Sequence, residues 1–230
     1  MLLYLLTFML GSIIASFLNV LAKAVPIREN WWSRRSACPH CKTILKPLQI
    51  IPLFSFLIQK GRCKSCRIKI SPLYFLVEIT GALLFTLPLT FPPHPSSGLI
   101  QTWIFFSLLL TVTLTDLYYQ LIPNKILIAF GLPLLLIQPN IPTAITAFLF
   151  FYGAATLGKS LFKKETIGYG DIKLYLVIGL VFSIQSLFLS ITISSASALI
   201  YALIFAKNKP IPFAPFIAFG AIITYILSFS

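Results

Sequence analysis

Four cysteines form two C-x2-C pairs, a spacing that suggests a metal site. Cys38 pairs with Cys41, Cys63 pairs with Cys66, and 21 residues separate the two pairs. Four thiolates at this spacing can close a tetrahedron around Zn²⁺. Basic neighbours favour the thiolate form: Arg35, Lys42, Arg62, Lys64 and Arg67. The pattern predicts a structural zinc site with His40 as a spare candidate ligand; two disulfides or metal-free thiols are the alternative.

Two aspartates are the candidates for catalysis. The chain has five acidic residues, and only Asp116 and Asp171 are aspartates. Each lies at the predicted end of an apolar segment, where an ionisable residue is costly and therefore a functional candidate. Gly168 and Gly170 let the backbone bend and approach another group closely. Two nearby carboxylates share a proton and activate water, as in aspartic proteases; the alternatives are a helix-end residue for Asp116 and an N-cap for Asp171.

Two further charged residues are candidates for orienting roles. Glu78 lies inside an apolar segment, where a buried carboxylate needs a partner or a proton. It is interpreted either as structural or as lining a cofactor or substrate cleft. Lys173 follows Asp171 by two residues, so on a helix it points to a different face and is not assigned as a direct partner. Glu29 and Glu165 are interpreted as solvated loop charges.

The high hydrophobic and low charged content of the chain indicates that the segments carrying these residues lie in a lipid membrane. Of 230 residues, 58% are hydrophobic and 10% are charged, against about 25% charged in an ordinary soluble domain. This excludes a soluble single-domain protein. Met1 to Val20 is interpreted as a retained first span, because no basic residue precedes its apolar run. Seven more spans are predicted at 72–91, 99–116, 125–139, 141–158, 172–188, 190–206 and 211–229.

The basic residues orient these spans. Of 18 Lys and Arg residues, 11 lie between Lys23 and Ile70. With the N-terminus outside and eight spans, all 18 fall on the cytoplasmic side, as the positive-inside rule requires. The predicted domains are a first transmembrane helix over 1–22, a basic cytoplasmic zinc loop over 23–71 and a seven-helix membrane domain over 72–230. The apolar run over 48–58 is too short to span and is interpreted as an interfacial or loop-core segment.

Several short motifs, in order along almost the whole chain, resemble the type IV prepilin peptidase family. Ala15 to Val20 resembles the family's first-span motif, and Arg35 to Cys41 with Gly61 to Cys66 resembles its two cysteine knuckles. Ile51 to Ser55 and Ile70 to Glu78 resemble the loop and the run into the second span. The catalytic motifs match at Asp116 with Leu121 to Asn124 and at Gly168 to Lys173, a Gly-x-Gly-Asp sequence. Ile211 to Phe216 resembles the final-span signature.

The resemblance implies an all-α polytopic membrane protein of about eight spans, an aspartic endopeptidase in the bacterial cytoplasmic (inner) membrane, with both termini outside. Asp116 and Asp171 would be the catalytic pair of a peptidase domain over 72–230, with Gly168, Gly170, Lys173 and Glu78 as motif or orienting residues. The substrates would be prepilins or pseudopilins of pilus, secretion or competence systems, cut at the cytoplasmic face after Gly and usually before Phe. Family members often then methylate the new N-terminus with S-adenosylmethionine, and the cysteine loop is associated with this bifunctional form.

The chain departs from the family pattern at three positions. Ala15 stands for the usual Gly, Lys23-Ala24-Val25-Pro26 stands where an Arg often precedes Leu-Pro, and Tyr169 replaces a frequent Gly. None of these changes removes a carboxylate or a thiolate. The first two changes, and the lack of a Gly-rich loop for S-adenosylmethionine in the sequence, mean that the methyltransferase activity rests on the resemblance alone.

Two other functional classes compete with a peptidase. A transporter or channel would use Asp116, Asp171 and Glu78 as a proton relay, but a relay usually places acids at several depths. The other class is a non-enzymatic protein whose zinc loop binds anionic partners through its basic face. This hypothesis accounts for the cysteines and the positive charge, but it gives the two aspartates no function. Nucleic acid is not expected as a partner of an eight-span chain, and the sequence leaves the oligomeric state open.

Overall fold

The computed structural model of the chain describes residues 1–29, 36–38, 40–92, 98–137, 139–163, 167–205 and 211–228. Predictions that concern Arg34, Arg35, Lys164, Glu165, Lys207 and Lys209 lie outside these residues. Within the described ranges the regular secondary structure is helical apart from two isolated β-bridges, and turns and irregular segments connect the helices. It forms two compact units, residues 1–90 and 91–230.

The first unit contains a long helix at each end and a loop between them. Helix α1 spans Leu2–Ala24, α2 is a short helix over Phe54–Ile58, α3 spans Pro72–Thr90, and a 3-10 turn covers Pro47–Gln49. Helices α1 and α3 pack closely because small residues face each other. A Cβ on Gly11 would lie 2.6 Å from the Gly81 carbonyl oxygen, and one on Gly81 would collide with Ala15. Such small-residue contacts let apolar helices associate without a hydrophobic driving force.

The described residues of the second unit form a bundle of six helices. They are α4 (Leu99–Tyr119), α5 (Asn124–Ile137), α6 (Ile141–Phe162), α7 (Tyr169–Gly179), α8 (Ile184–Phe205) and α9 (Ala214–Leu227). The core lies along α4, where Phe105, Phe106 and Leu108 are completely buried. Helices α8 and α9 meet at Gly220, where a Cβ would lie 2.6 Å from the Ser190 carbonyl oxygen.

The predicted spans 172–188 and 190–206 have wrong boundaries. Helix α7 ends at Gly179, and α8 begins at Ile184 within the first of these ranges. Asn140 stabilises the break: its backbone N–H donates to the Leu180 carbonyl (2.8 Å) and its side-chain amide donates to the Phe182 carbonyl (3.0 Å). The Ser183 hydroxyl then accepts the Ser186 N–H at the start of α8. These bonds satisfy the carbonyl groups after the end of α7 and an N–H group at the start of α8. The apolar run in the sequence gives no sign of this break.

Five of the described helices are long and apolar enough to cross a membrane: α1, α3, α4, α6 and α8. Helices α5 and α9 are shorter apolar helices of 14 residues each, about 21 Å long at 1.5 Å per residue. Helix α7 has 11 residues, about 16 Å by the same rise. The prediction of an all-helical chain with membrane-length helices is confirmed, and the count of eight spans stays a prediction.

Candidate active site and metal centre

Asp116 lies in the last turn of α4 and contacts the start of α9. Its side chain is 7% exposed, and its Oδ2 accepts a 2.8 Å hydrogen bond from the backbone N–H of Ala214, the first residue of α9. The free N–H groups and the dipole at a helix N-terminus favour a carboxylate there. The sequence predicts this residue at a helix end. The structure shows in addition that the N-terminus of α9 donates a hydrogen bond to its carboxylate.

Asp171 lies in the first turn of α7 and is half-buried. Its carboxylate is close enough to that of Asp116 for the two charges to interact. Both line one cavity of about 550 Å³ in the second unit, a size within the usual range for ligand sites. The other lining residues are Gln120, Leu121, Ile122, Pro123, Asn124, Gly168, Tyr169, Gly170, Lys173, Ile211 and Phe213. The 55 residues that separate the aspartates in sequence are bridged by the fold.

The two glycines beside Asp171 provide space. Gly168 is the N-cap of α7 with φ −67° and ψ 135°, a conformation open to any residue. A Cβ on Gly168 would lie 3.2 Å from Asp171 Oδ2, and one on Gly170 would lie 3.0 Å from Ile122 Cβ. The predicted close approach of these glycines to neighbouring groups is therefore present. The backbone conformation of Gly168, however, does not require glycine.

Lys173 extends from α7 to the start of α5. Its Nζ donates a 3.0 Å hydrogen bond to Oδ1 of Asn124. Asn124 is the last residue of a short cavity-lining segment that begins at Gln120, directly after α4. Lys173 therefore contacts the wall of the cavity through the Asn124 amide. The sequence pattern does not make Lys173 a direct partner of Asp171, and it does not predict this contact.

Glu78 belongs to the first unit, on α3, and is 9% exposed. Its Oε1 accepts the Ser16 hydroxyl at 3.0 Å and its Oε2 accepts the Leu53 backbone N–H at 2.8 Å. Both carboxylate oxygens are thus used in bonds that join α1, α3 and the loop. This geometry supports the structural interpretation of Glu78.

The four cysteines meet in the loop of the first unit. All are free of disulfides, and their four Sγ atoms lie within 4.8 Å of one another. Cys38 and Cys66 are 3.9 Å apart, as are Cys41 and Cys63, measured between Sγ atoms. A tetrahedron with metal–sulfur bonds of about 2.3 Å has sulfur–sulfur edges of about 3.8 Å. The thiols therefore fit a four-coordinate metal ion, and the disulfide alternative is wrong.

The two knuckles repeat one backbone pattern. In each, the first cysteine's N–H bonds the carbonyl five residues later, at Thr43 and at Ile68. The residue after the second cysteine has positive φ in both cases, 57° at Lys42 and 56° at Arg67. An antiparallel bridge closes each knuckle, Ala37 with Ile44 and Arg62 with Lys69.

Hydrogen bonds favour the thiolate form of Cys41 and Cys63, whereas burial and the neighbouring thiols raise the pKa of Cys66 to about 11. Thr43 lowers the pKa of Cys41 to about 6, first through its hydroxyl at 3.3 Å and then through its backbone. Backbone N–H groups of Cys66 and Ser65 lower the pKa of Cys63. Because a metal binds the thiolate, these bonds prepare the site for an ion.

Known proteins match both units. Residues 9–91 match the family "Bacterial Peptidase A24 N-terminal domain" and residues 103–203 match the "Type IV leader peptidase family". A prepilin leader peptidase/N-methyltransferase of Bacillus subtilis (strain 168) is 37% identical, over 95% of this chain and 92% of that protein. The chain belongs to the type IV leader peptidase family.

Other relatives of this type IV leader peptidase chain carry similar names. A prepilin leader peptidase/N-methyltransferase of Aeromonas salmonicida (strain A449) is 31% identical over 93% of this chain and 87% of its own length. A type 4 prepilin-like proteins leader peptide-processing enzyme of Escherichia coli O78:H11 is also 31% identical, over 94% of this chain and 91% of its own length. No solved structure matches the chain. The family resemblance read from the motifs is confirmed.

Sequence reasoning missed one part of this type IV leader peptidase's cavity. It gave no site role to Ala214, whose backbone N–H holds Asp116, or to Phe213, which lines the cavity. The available signal was Pro215, because proline near the first turn marks a helix start and therefore a set of free N–H groups.

Proposed function

We propose that this chain is a membrane-embedded aspartic endopeptidase that removes the leader peptide of prepilins or pseudopilins and then methylates the new N-terminus. The convergence of Asp116 and Asp171 on one cavity supports the peptidase activity. The names of the relatives support the substrate class and the second activity. Cleavage is expected after Gly and usually before Phe, as the resemblance implies.

The surroundings of the aspartates assign their roles. Asp116 receives a backbone N–H at the start of α9, which makes it the better site for the negative charge. Asp171 receives no such bond within the described part of the chain, and its burial, followed by the nearby charge of Asp116, raises its pKa and favours its protonated form. Asp116 is therefore proposed as the base and Asp171 as the acid of the pair.

Cleavage then follows from these two groups. Water held between the carboxyl groups loses a proton to Asp116 while its oxygen attacks the scissile carbonyl carbon. The Asp171 proton stabilises the developing oxyanion. The proton on Asp116 passes to the amide nitrogen as the carbon–nitrogen bond breaks, which releases the leader and a new N-terminal amine. Gly168, Gly170 and Lys173 would keep the pair in place.

The two cofactors have separate tasks. Zn²⁺ is proposed as the ion held by Cys38, Cys41, Cys63 and Cys66, where it would stabilise the loop, because four protein ligands leave no open position for chemistry. S-adenosylmethionine is proposed as the donor that supplies the methyl group to the new amine.

The orientation in the membrane is proposed from the charge distribution. Eight spans with both termini outside would place the basic loops in the cytoplasm, and with them the aspartates and the cysteine loop. The bacterial cytoplasmic membrane is the proposed location. The proton-relay alternative loses support because Glu78 uses both oxygens to bind Ser16 and Leu53.

Co-expression with a candidate prepilin tests both activities in one measurement. The mass of the mature pilin shows whether the leader is gone and whether one methyl group has been added. Asp116→Asn and Asp171→Asn should each abolish leader removal while the protein still inserts in the membrane. Normal processing by either variant contradicts the assignment of the pair.

A further inference from the structure

The loop of the first unit contains a tight turn of a rare kind. Leu53 has φ 62° and ψ −56°, and the Phe54 N–H donates to the Pro52 carbonyl over 2.7 Å. These values define a γ-turn of the strained hand, which residues with a side chain seldom adopt. Strained backbone of this type persists only where surrounding contacts fix it.

Glu78 makes the contact that fixes this turn. Its Oε2 accepts the Leu53 N–H at 2.8 Å in the protein interior, where Leu53 is 7% exposed. Its Oε1 accepts the Ser16 hydroxyl of α1. Without the carboxylate, the buried N–H of Leu53 would lack an acceptor, and an unsatisfied buried donor is costly.

The turn sets the path of the chain toward the metal ligands. Helix α2 begins at Phe54, immediately after the turn, and Phe56 stacks on Phe75 of α3 with ring centroids 5.2 Å apart. Five residues after Ile58 the chain reaches Cys63, the first ligand of the second knuckle. A change in the turn therefore moves the segment that connects α2 to the metal centre.

We propose that Glu78 is a positioning residue for methyl transfer, and that it acts by fastening the strained turn at Leu53. This inference rests on the proposed methyltransferase activity of the chain. The family resemblance associates the cysteine loop with methylation, and the peptidase aspartates belong to the other compact unit, so a displaced loop should impair methylation and leave cleavage nearly unchanged. The role needs a hydrogen-bond acceptor at position 78 and does not need a negative charge.

Three variants of the full-length protein test the proposal, each co-expressed with a prepilin. Glu78→Met keeps the length of the side chain and removes the acceptor, and it should lower the methylated fraction at least tenfold with cleavage within twofold of wild type. Glu78→Gln keeps an amide oxygen for the Leu53 N–H and should stay within threefold for both activities. Adding Leu53→Gly to Glu78→Met should recover part of the methylation, because glycine adopts positive φ without strain.

Limited trypsin digestion of the purified proteins supplies a readout independent of methyl transfer. The loop of Glu78→Met should be cut at Lys60 and its neighbours at least ten times faster than that of wild type or Glu78→Gln. Wild-type methylation by Glu78→Met, equal loss of both activities, or a Glu78→Gln defect as deep as that of Glu78→Met overturns the proposal. If wild type itself adds no methyl group, the methyltransferase function fails, and unchanged digestion of Glu78→Met still overturns the anchoring role.

Discussion

Gly168→Ala tests whether the space beside Asp171 limits cleavage. Gly168 has φ −67° and ψ 135°, so alanine fits its backbone conformation. The one new atom is a Cβ that would lie 3.2 Å from Asp171 Oδ2 and 3.8 Å from its Cγ. The carboxylate must move by a few tenths of an ångström to relieve this contact. The substitution therefore displaces a proposed catalytic group without introducing backbone strain.

The expected effect follows from the size of this displacement. A misplacement of about 1 Å in an active site costs on the order of 100-fold in rate. A shift of a few tenths should cost about three- to tenfold, or about 0.7–1.4 kcal/mol in the activation barrier. The defect should appear in kcat, because the contact concerns the reacting group and leaves the remaining cavity wall in place.

Gly98→Ala is a matched control for the loss of a glycine N-cap. Gly98 is the N-cap of α4 with φ −66° and ψ 155°, and a Cβ there would meet no atom of the described residues within 4 Å. Both substitutions should cost a few tenths to about 1 kcal/mol of stability. Leader cleavage by purified proteins in detergent, with a prepilin peptide, gives kcat for each. Equal rates for the two variants would refute the steric role of Gly168.

Three further results are expected. Lys173→Met removes the 3.0 Å hydrogen bond to Asn124 and should slow cleavage about two- to fivefold, since an exposed hydrogen bond contributes about 0.5–1 kcal/mol. Asn124→Ala should slow cleavage by the same factor. If the two losses add in the double variant, the pairing of these residues is contradicted. Cys63→Ser should reduce bound zinc from one ion per chain to substoichiometric levels in elemental analysis, and full retention would contradict the four-thiolate site. Asp116→Asn and Asp171→Asn should both abolish leader removal in cells, but the residual rate measured with purified protein should be at least tenfold higher for Asp171→Asn. An amide at position 171 still donates to an oxyanion, whereas an amide at position 116 cannot act as a base; the reverse order would exchange the roles.

Much of the candidate site could be predicted from the sequence because its residues are chemically costly in an apolar chain. Asp116 and Asp171 are the only aspartates, and helix-end positions at one membrane boundary predicted their convergence. The cysteines form a tight cluster because each knuckle is a local structure set by its own few residues. Local patterns of this kind are visible in sequence without any tertiary information.

The missed features depend on contacts between distant segments. The end of α7 at Gly179 is held by Asn140, about 40 residues earlier, through bonds to the carbonyls of Leu180 and Phe182. The turn at Leu53 depends on Glu78, which lies in a different helix. Hydrophobic periodicity reports which residues avoid water and contains no information about which distant donor satisfies a given carbonyl. Boundaries and special turns therefore had to come from the fold.

The hydrogen bond between Asp116 and α9 gives the proposed base a fixed geometry as well as a charge. Oδ2 accepts the Ala214 N–H at 2.8 Å, and the backbone of Phe213 also bonds this carboxylate, so two residues at the start of α9 fix its orientation. Burial raises the cost of rotating the carboxylate, because rotation would leave the N–H at the helix start without its acceptor. A base held in one orientation favours one direction of attack, and that orientation is set by where α9 begins. The position of a helix that contributes no acidic side chain to the cavity thus controls the alignment of the reaction.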